Sequence, residues 1–455
     1  MRVTYDQLKQ HNDIVVWGTG RIMNQYIGRI DPELKIVGFC DTYSKNWGKR
    51  LDRGLPCFPK EELTEKNTVI IAIEDPKDIA KVSEELNEKG IDYCHILDAV
   101  EAFRAEWEKK EIARYEKTWK ETEEPGDYSK IKKYISCHVP YSCCNFRCSY
   151  CYVRQLTDFD NKMIHFASPE YIQKAFSRKR IGGTALINFC AKGETLLHPE
   201  VVPIMCKLVE EGHYVAAVTN GTISTAFQRF IDMKANLKKF FFKFSFHYLE
   251  LKRKHLLETF FDNVHLMKKY GASFTIEVVA SDDVVPYIEE IRECCLQHTG
   301  ALPHLTLPRD DRTKEIDLLV KENVEEYQNI WSDFDSELFR FKLEILHVKR
   351  NEYCHAGDWS LQVDLKTGKV CQCVGHPEIF NIYDDICKPI KEEPVGENCR
   401  LPYCYNGHAY LTLGDIEEVE SPTYYEVRDR QTIDGGHWFT SEMRDVFSQR
   451  LYKNN

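Results

Sequence analysis

The placement of cysteine constrains this chain more than any other feature. Of 18 cysteines in 455 residues, five lie between Cys137 and Cys151 and six between Cys354 and Cys404, while Cys40, Cys57 and Cys94 are scattered near the start. The opening residues, MRVTYDQLKQHND, lack the apolar core of a secretory signal, and no apolar stretch of membrane-spanning length follows. A cytoplasmic, reducing location is therefore expected, where clustered thiols hold metal or do chemistry more often than they form disulfides. The net charge of -11 argues against a general grip on nucleic acid or on an anionic membrane.

The rest of the chain reads as alternating strands and helices. An apolar run, Asp13 to Trp17, leads into Gly18-Thr19-Gly20 and a helical pattern through Ile30; a second strand, Leu34 to Cys40, ends at Asp41. Further apolar runs at Thr68 to Ile73 and Cys94 to Leu97 complete the pattern of a small parallel sheet over residues 1–100. Gly18, Gly20 and Asp41 make most of a dinucleotide-binding fingerprint, with Met23 at the third glycine position, so a nucleotide is a possible ligand. This segment resembles the small Rossmann-like domains attached to sugar-modifying and capsule or lipopolysaccharide proteins. Residues 101–126 predict a charged linker helix closed by Pro125-Gly126. From residue 127 to 312, candidate strands at 134–140, 184–190, 213–219, 239–246, 273–280 and 303–307 alternate with helices, the pattern of a partial (β/α)6 TIM-like barrel. In such a barrel, chemistry sits at the C-terminal strand ends.

The loop after the first barrel strand holds Cys144, Cys148 and Cys151 in C-x3-C-x2-C spacing. Three thiolates on one tight loop can ligate three irons of a 4Fe-4S cube and leave the fourth iron open. A structural zinc site wants four protein ligands, and the neighbouring Cys143 stands in awkward register for the fourth. This motif, with an aromatic, Tyr150, before the last cysteine, resembles that of the radical S-adenosylmethionine enzymes. The likeness extends to Lys192-Gly193-Glu194 after the second strand, where the family usually has Gly-Gly-Glu. The resemblance implies a reduced cluster that cleaves S-adenosylmethionine to a 5'-deoxyadenosyl radical, with a flavodoxin or ferredoxin-type reductant. It implies that Glu194 and the backbone at Lys192 and Gly193 hold the cofactor's amino group. It also places Thr219, Asn220, Ser245 and His247, at the ends of the next two strands, beside the cofactor, and the alternation of inward-facing residues along the fifth strand puts Glu277 near the same pocket.

The second group contains Cys354-x13-Gly368-x4-Cys373 and Cys399-x4-Cys404, with a hairpin expected between residues 361–363 and 369–371. It resembles a Twitch/SPASM-like iron-sulfur module over residues 313–455, which implies one auxiliary cluster on Cys354, Cys373, Cys399 and Cys404. Cys371 or Cys387 could replace one of these, and a zinc site helped by His355, His376 or His408 is the alternative. An amphipathic helix is expected at 441–451, and Tyr424, Tyr425 and Trp438 either pack structurally or cap the barrel mouth.

The preferred substrate is a small molecule, a sugar or sugar-nucleotide, oxidised or epimerised, with Cys190 as a possible hydrogen donor. The alternative is a SPASM-type peptide maturase; that class often carries an N-terminal winged-helix domain, whereas residues 1–100 show a glycine-turn pattern.

Overall fold

The computed structural model describes residues 1–120, 128–160, 162–404 and 407–455. The chain forms two compact units, Met1–Ala113 and Arg114–Asn455. The expected helix end at Pro125-Gly126 lies outside the described residues.

The first unit is built on five parallel strands, β1 (Ile14–Trp17), β2 (Ile36–Asp41), β3 (Cys57–Pro59), β4 (Thr68–Ile71) and β5 (Asp92–His95), in the order β3-β2-β1-β4-β5. Strands β1 and β4 are buried along their whole length, which is why both read as unbroken apolar runs. Val16, Phe39 and Ile70 face one core, and Val15, Trp17, Val69 and Ile71 face the other. Two features differ from expectation. β3 has only three residues and ends in proline, too short for a periodic signal. Ile96 and Leu97 do not extend the last strand but open a helix, Ile96–Trp119, which absorbs most of the expected linker.

The second unit carries six adjacent parallel strands, β6 (Ile131–Val139), β7 (Thr184–Ala191), β8 (Tyr214–Thr219), β9 (Phe240–Ser245), β10 (Ser273–Val279) and β11 (His304–Thr306). These are the six strands expected of the partial barrel. Along β9 the side chains alternate as a pleat requires: Phe240 and Phe242 lie 5.0 and 5.5 Å from the helical Phe230, leaving Phe241, Lys243 and Ser245 on the opposite, inner face. A two-residue pair, β12 (Arg309–Asp310) with β13 (Asp317–Leu318), follows.

The cysteine-rich end is continuous with this sheet. Strand β14 (Ser360–Asp364) runs parallel to β6, from Ser360 beside Tyr134 to Asp364 beside His138, and β15 (Lys369–Cys371) and β16 (Glu378–Asn381) continue antiparallel. The expected hairpin is present; its attachment to the barrel's first strand has no local signature. The tail packs against the starts of the barrel strands, the end opposite the cysteine loop. Phe241 lies 5.0 Å from Phe447 and 5.1 Å from Phe439, Thr440 donates its backbone N–H to Ser273 Oγ at 2.9 Å, and Tyr424 and Trp438 are buried there. The expected final helix is split into Ser441–Phe447 and Leu451–Asn454. Between them Arg450 is extended and donates to the Thr412 carbonyl at 2.7 Å. Met443, Val446, Phe447 and Leu451 are nonetheless all buried.

Candidate functional site

After β6 the chain runs without regular structure through Cys144, Cys148 and Cys151 to a short helix, Tyr152–Leu156. The loop is held from below by Phe146, which is 1% exposed, and from the side by Glu250, whose carboxylate accepts the Arg147 backbone N–H at 2.9 Å. The three thiols are close enough to act electrostatically on one another. Burial pushes Cys144 up to about 11 and Cys148 up to about 12, so thiolates here need a strong positive partner. Three sulfurs converging in such a place suit the irons of a cluster. Among the described residues, no group of three His, Cys, Asp or Glu side chains is arranged around a single metal ion.

The loops after β6, β7 and β8 are stitched together. The backbone N–H groups of Gly193 and Glu194 donate to the carbonyls of Tyr141 and Cys143 at 3.1 and 2.8 Å. A side chain at position 193 would run into the Cys143 carbonyl, which accounts for glycine there. Lys192 points to solvent, so replacing the family's first glycine costs this packing nothing. Glu194 is 3% exposed and accepts from Leu196 N at 3.0 Å, Thr219 Oγ1 at 2.6 Å and Asn220 N at 2.7 Å. Asn220 in turn donates to Asn145 Oδ1 at 2.7 Å, inside the cysteine loop. Thus Glu194, Thr219 and Asn220, expected beside the cofactor, form one buried network that sets the cysteine loop's position. A bound ammonium, which only donates, would use carbonyls and carboxylate rather than the N–H groups of residues 193 and 194.

Tyr150 hydroxyl lies 2.8 Å from His247 Nδ1, and burial holds His247 down to about 4. The expected aromatic and the expected histidine therefore meet, with the imidazole neutral. Ser245 stands beside Glu277 in the β9–β10 register. Glu277, also placed near the pocket by the sequence, is paired with the guanidinium of Arg428. Arg428 comes from the tail and is fully buried. Lys243 and Lys342 act on the same carboxylate, and Cys190 feels Lys243, Arg309 and Glu277. None of Lys243, Arg309, Lys342 or Arg428 was singled out by sequence reasoning, since a lone basic residue carries no local pattern. Lys243, in phase with Ser245 on an otherwise aromatic strand, was the one available hint.

With this geometry in place the comparisons are decisive for one region. Residues 138–292 match the family described as the Radical SAM superfamily. The chain carries a radical SAM domain. The superfamily uses a 4Fe-4S cluster and S-adenosylmethionine, and Cys144, Cys148 and Cys151 are the residues of this chain that fit that cluster. Among curated protein sequences none matches. Similar solved structures include native anSMEcpe with bound AdoMet (16% identity, TM-score 0.39, covering 55% of this chain and 78% of that one). They also include Streptococcus suis SuiB bound to precursor peptide SuiA (12%, TM-score 0.39, 68% and 74%) and BtrN in complex with AdoMet and 2-DOIA (14%, TM-score 0.25, 72% and 91%).

Outside the radical SAM domain, four of the six C-terminal cysteines gather. Cys354, Cys373, Cys399 and Cys404 act on one another electrostatically and line one cavity with His376 and Tyr410. Cys371 instead faces Lys369 and Glu378, and Cys387 lies among the groups acting on Arg180. The structure therefore separates the expected four from the two proposed substitutes. Of the three histidines considered as zinc ligands, His376 lines the cavity, 3.7 Å from Cys399 Sγ. His355 stacks on Trp359 with centroids 3.5 Å apart, and His408 belongs to the basic cluster around Lys342.

In the first unit, the Asp41 carboxylate accepts the Thr19 backbone N–H at 3.0 Å and the Thr19 hydroxyl, and its other oxygen accepts the Tyr43 N–H at 3.0 Å. The acid that the fingerprint assigns to a ribose is here an anchor for its own glycine turn, and the following helix, Arg21–Tyr26, has only six residues.

Proposed function

We propose that this protein is a radical S-adenosylmethionine enzyme that removes a hydrogen atom from a small polar metabolite, a sugar or sugar-nucleotide, and ends in oxidation or epimerisation. One observation carries the reading: the cysteine loop, the Glu194–Thr219–Asn220 network and the inward face bearing Cys190 and Glu277 converge at the C-terminal end of one barrel. When bound, the cluster and S-adenosylmethionine supply a 5'-deoxyadenosyl radical able to attack an unactivated C–H bond. The chain's own part is positional. Glu250 and Phe146 fix the cysteine loop, Glu194 ties three loops into one rigid cradle, and the packed tail seals the far end of the barrel against water.

Cys354, Cys373, Cys399 and Cys404 would hold an auxiliary cluster, giving the electron left on a substrate radical somewhere to go in a net oxidation. Cys190, kept protonated by burial, would return a hydrogen atom if the outcome is epimerisation, and the thiyl radical left behind would regain its thiol by taking one electron from the flavodoxin or ferredoxin-type reductant and a proton from solvent. The parallel sheet of the first unit, with its glycine turn after β1, supports a metabolite over a peptide, because such turns suit nucleotide-bearing small molecules.

The test is anaerobic reconstitution followed by iron and sulfide counting and a 5'-deoxyadenosine assay, then the same assay with sugar nucleotides and with short peptides. The reading expects cofactor cleavage by the reconstituted protein and stimulation by a sugar nucleotide. Stimulation by peptides alone would replace it with peptide maturation.

A further inference from the structure

The barrel interior holds more positive charge than its own carboxylate can balance. Lys243 on β9, Lys342 on the helix Glu337–Glu344 and Arg428 in the tail all act on Glu277. Arg309 acts on the same cluster but has Asp311 at 3.3 Å, so it is balanced separately. Lys243 has no acidic partner within 4.0 Å among the described residues, and Lys342 makes its hydrogen bond to the Thr306 hydroxyl. Burial first, and these basic neighbours second, hold His408 well below the ordinary histidine range. One carboxylate thus faces three basic side chains.

The hydrogen bonds point the same way. Arg428 uses Nη1 on Glu277, while Nε and Nη2 have no partner among the described residues although the side chain is fully buried. Those two nitrogens form the edge of a guanidinium that grips an oxyanion with two parallel bonds. Among the described residues His408 Nδ1 in the same cluster is also unpartnered, as is Thr275 Oγ1, which shares the inner face of β10 with Glu277. Buried polar groups without partners are uncommon in native proteins, and those of Arg428 and His408 belong to the same cluster of basic side chains, an environment that favours an anion.

We propose that Arg428, Lys342 and Lys243 bind an anionic group of the substrate, a phosphate or a carboxylate, and so hold the substrate beside Cys190. The proposal rests on the enzyme reading above and narrows its substrate to an acidic molecule. The depressed Lys342, held near 7 chiefly by burial, is the group whose charge such an anion would restore.

The experiment is titration calorimetry on the reconstituted protein with two probes, pyrophosphate and malonate, in the presence and absence of saturating S-adenosylmethionine. Wild type is expected to bind at least one probe, and Lys243→Gln and Lys342→Met to weaken it at least tenfold, while the exposed control Lys321→Gln changes nothing. Lys342→Met replaces a buried charge with an apolar chain of similar length, and melting curves without probe check that each variant is folded. Preference for pyrophosphate identifies a phosphate-bearing substrate and preference for malonate a carboxylate. Binding of neither probe, equal binding by wild type and both lysine variants, or displacement of the probe by S-adenosylmethionine would overturn the proposal. Absence of 5'-deoxyadenosine from wild type would defeat the enzyme reading instead, whatever the calorimetry shows.

Discussion

The two cysteine sites are made in opposite ways. The first takes its three thiols from eight consecutive residues, Cys144 to Cys151; the second takes four from segments spread over residues 354–404. In the first, neighbouring thiols are delivered by one loop, and tertiary structure only braces it, through Glu250 and through carbonyls that receive Gly193 and Glu194. In the second, the grouping itself is tertiary: β14 must join β6 and the chain must return past it before Cys354, Cys373, Cys399 and Cys404 can share a cavity. A site written in spacing survives alteration of its surroundings better than one written in the fold.

The largest expected effect comes from Cys148→Ala, which should abolish 5'-deoxyadenosine formation while leaving the iron held by the second site. Product at the wild-type level would end the comparison, because the first site would then not be where the cofactor is cleaved. Next, Cys373→Ala should remove about four irons, the content of one cube, whereas Cys371→Ala and Cys387→Ala should keep the full count. Equal losses from all three would mean that the quartet gathered in the structure is not the ligand set.

Glu194→Gln sharpens the bracing argument. It sets an amide donor against either the Leu196 N–H or the Asn220 N–H, and leaving one buried group unpaired should lower stability by about 2 kcal/mol. Cofactor cleavage should fall with it and the second site's iron should not; calorimetric melting and iron assay on the same sample decide this.

The smallest effect separates loss of either site from loss of the whole barrel. His213, fully buried, receives the Ala185 N–H and faces the Phe176 carbonyl at 3.0 and 2.8 Å, and burial holds it down to about 3 against an ordinary 6.5. Below 6.5 the unfolded chain binds a proton that the folded one refuses. Stability should therefore be undiminished by this group above pH 6.5 and fall by about 1.4 kcal/mol per pH unit as the medium is acidified toward 3. In His213→Gln that slope should be shallower, measured by urea melts of the iron-loaded protein between pH 7 and 5; an unchanged slope would show that His213 does not titrate this way.

Much of the fold was legible. The six barrel strands and the hairpin at 361–371 appear where apolar runs and a glycine turn predict them, since strand and turn preferences act over a few residues. The three-residue strand β3 and the break at Arg450 were not legible, one being too short to show a period and the other depending on carbonyls some 38 residues away in the chain. At the candidate site, Cys144, Cys148, Cys151, Glu194 and Glu277 were all named from sequence. What Glu194 and Glu277 touch was not. Their partners, Thr219, Asn220 and Arg428, lie 25, 26 and 151 positions further on.

By itself, then, the sequence determined the chemistry on offer: a C-x3-C-x2-C loop at a strand end needs only local geometry to bring three thiols together. Tertiary structure decided that Cys354, Cys373, Cys399 and Cys404, the four named from the sequence, share a cavity while Cys371 and Cys387 lie elsewhere. It also decided that Asp41 serves its own turn and that three basic residues from a strand, a helix and the tail meet a single carboxylate. Those outcomes are set by which distant segments pack, and burial then gives them their force, since charges and polar groups withdrawn from water act strongly on whatever lies beside them.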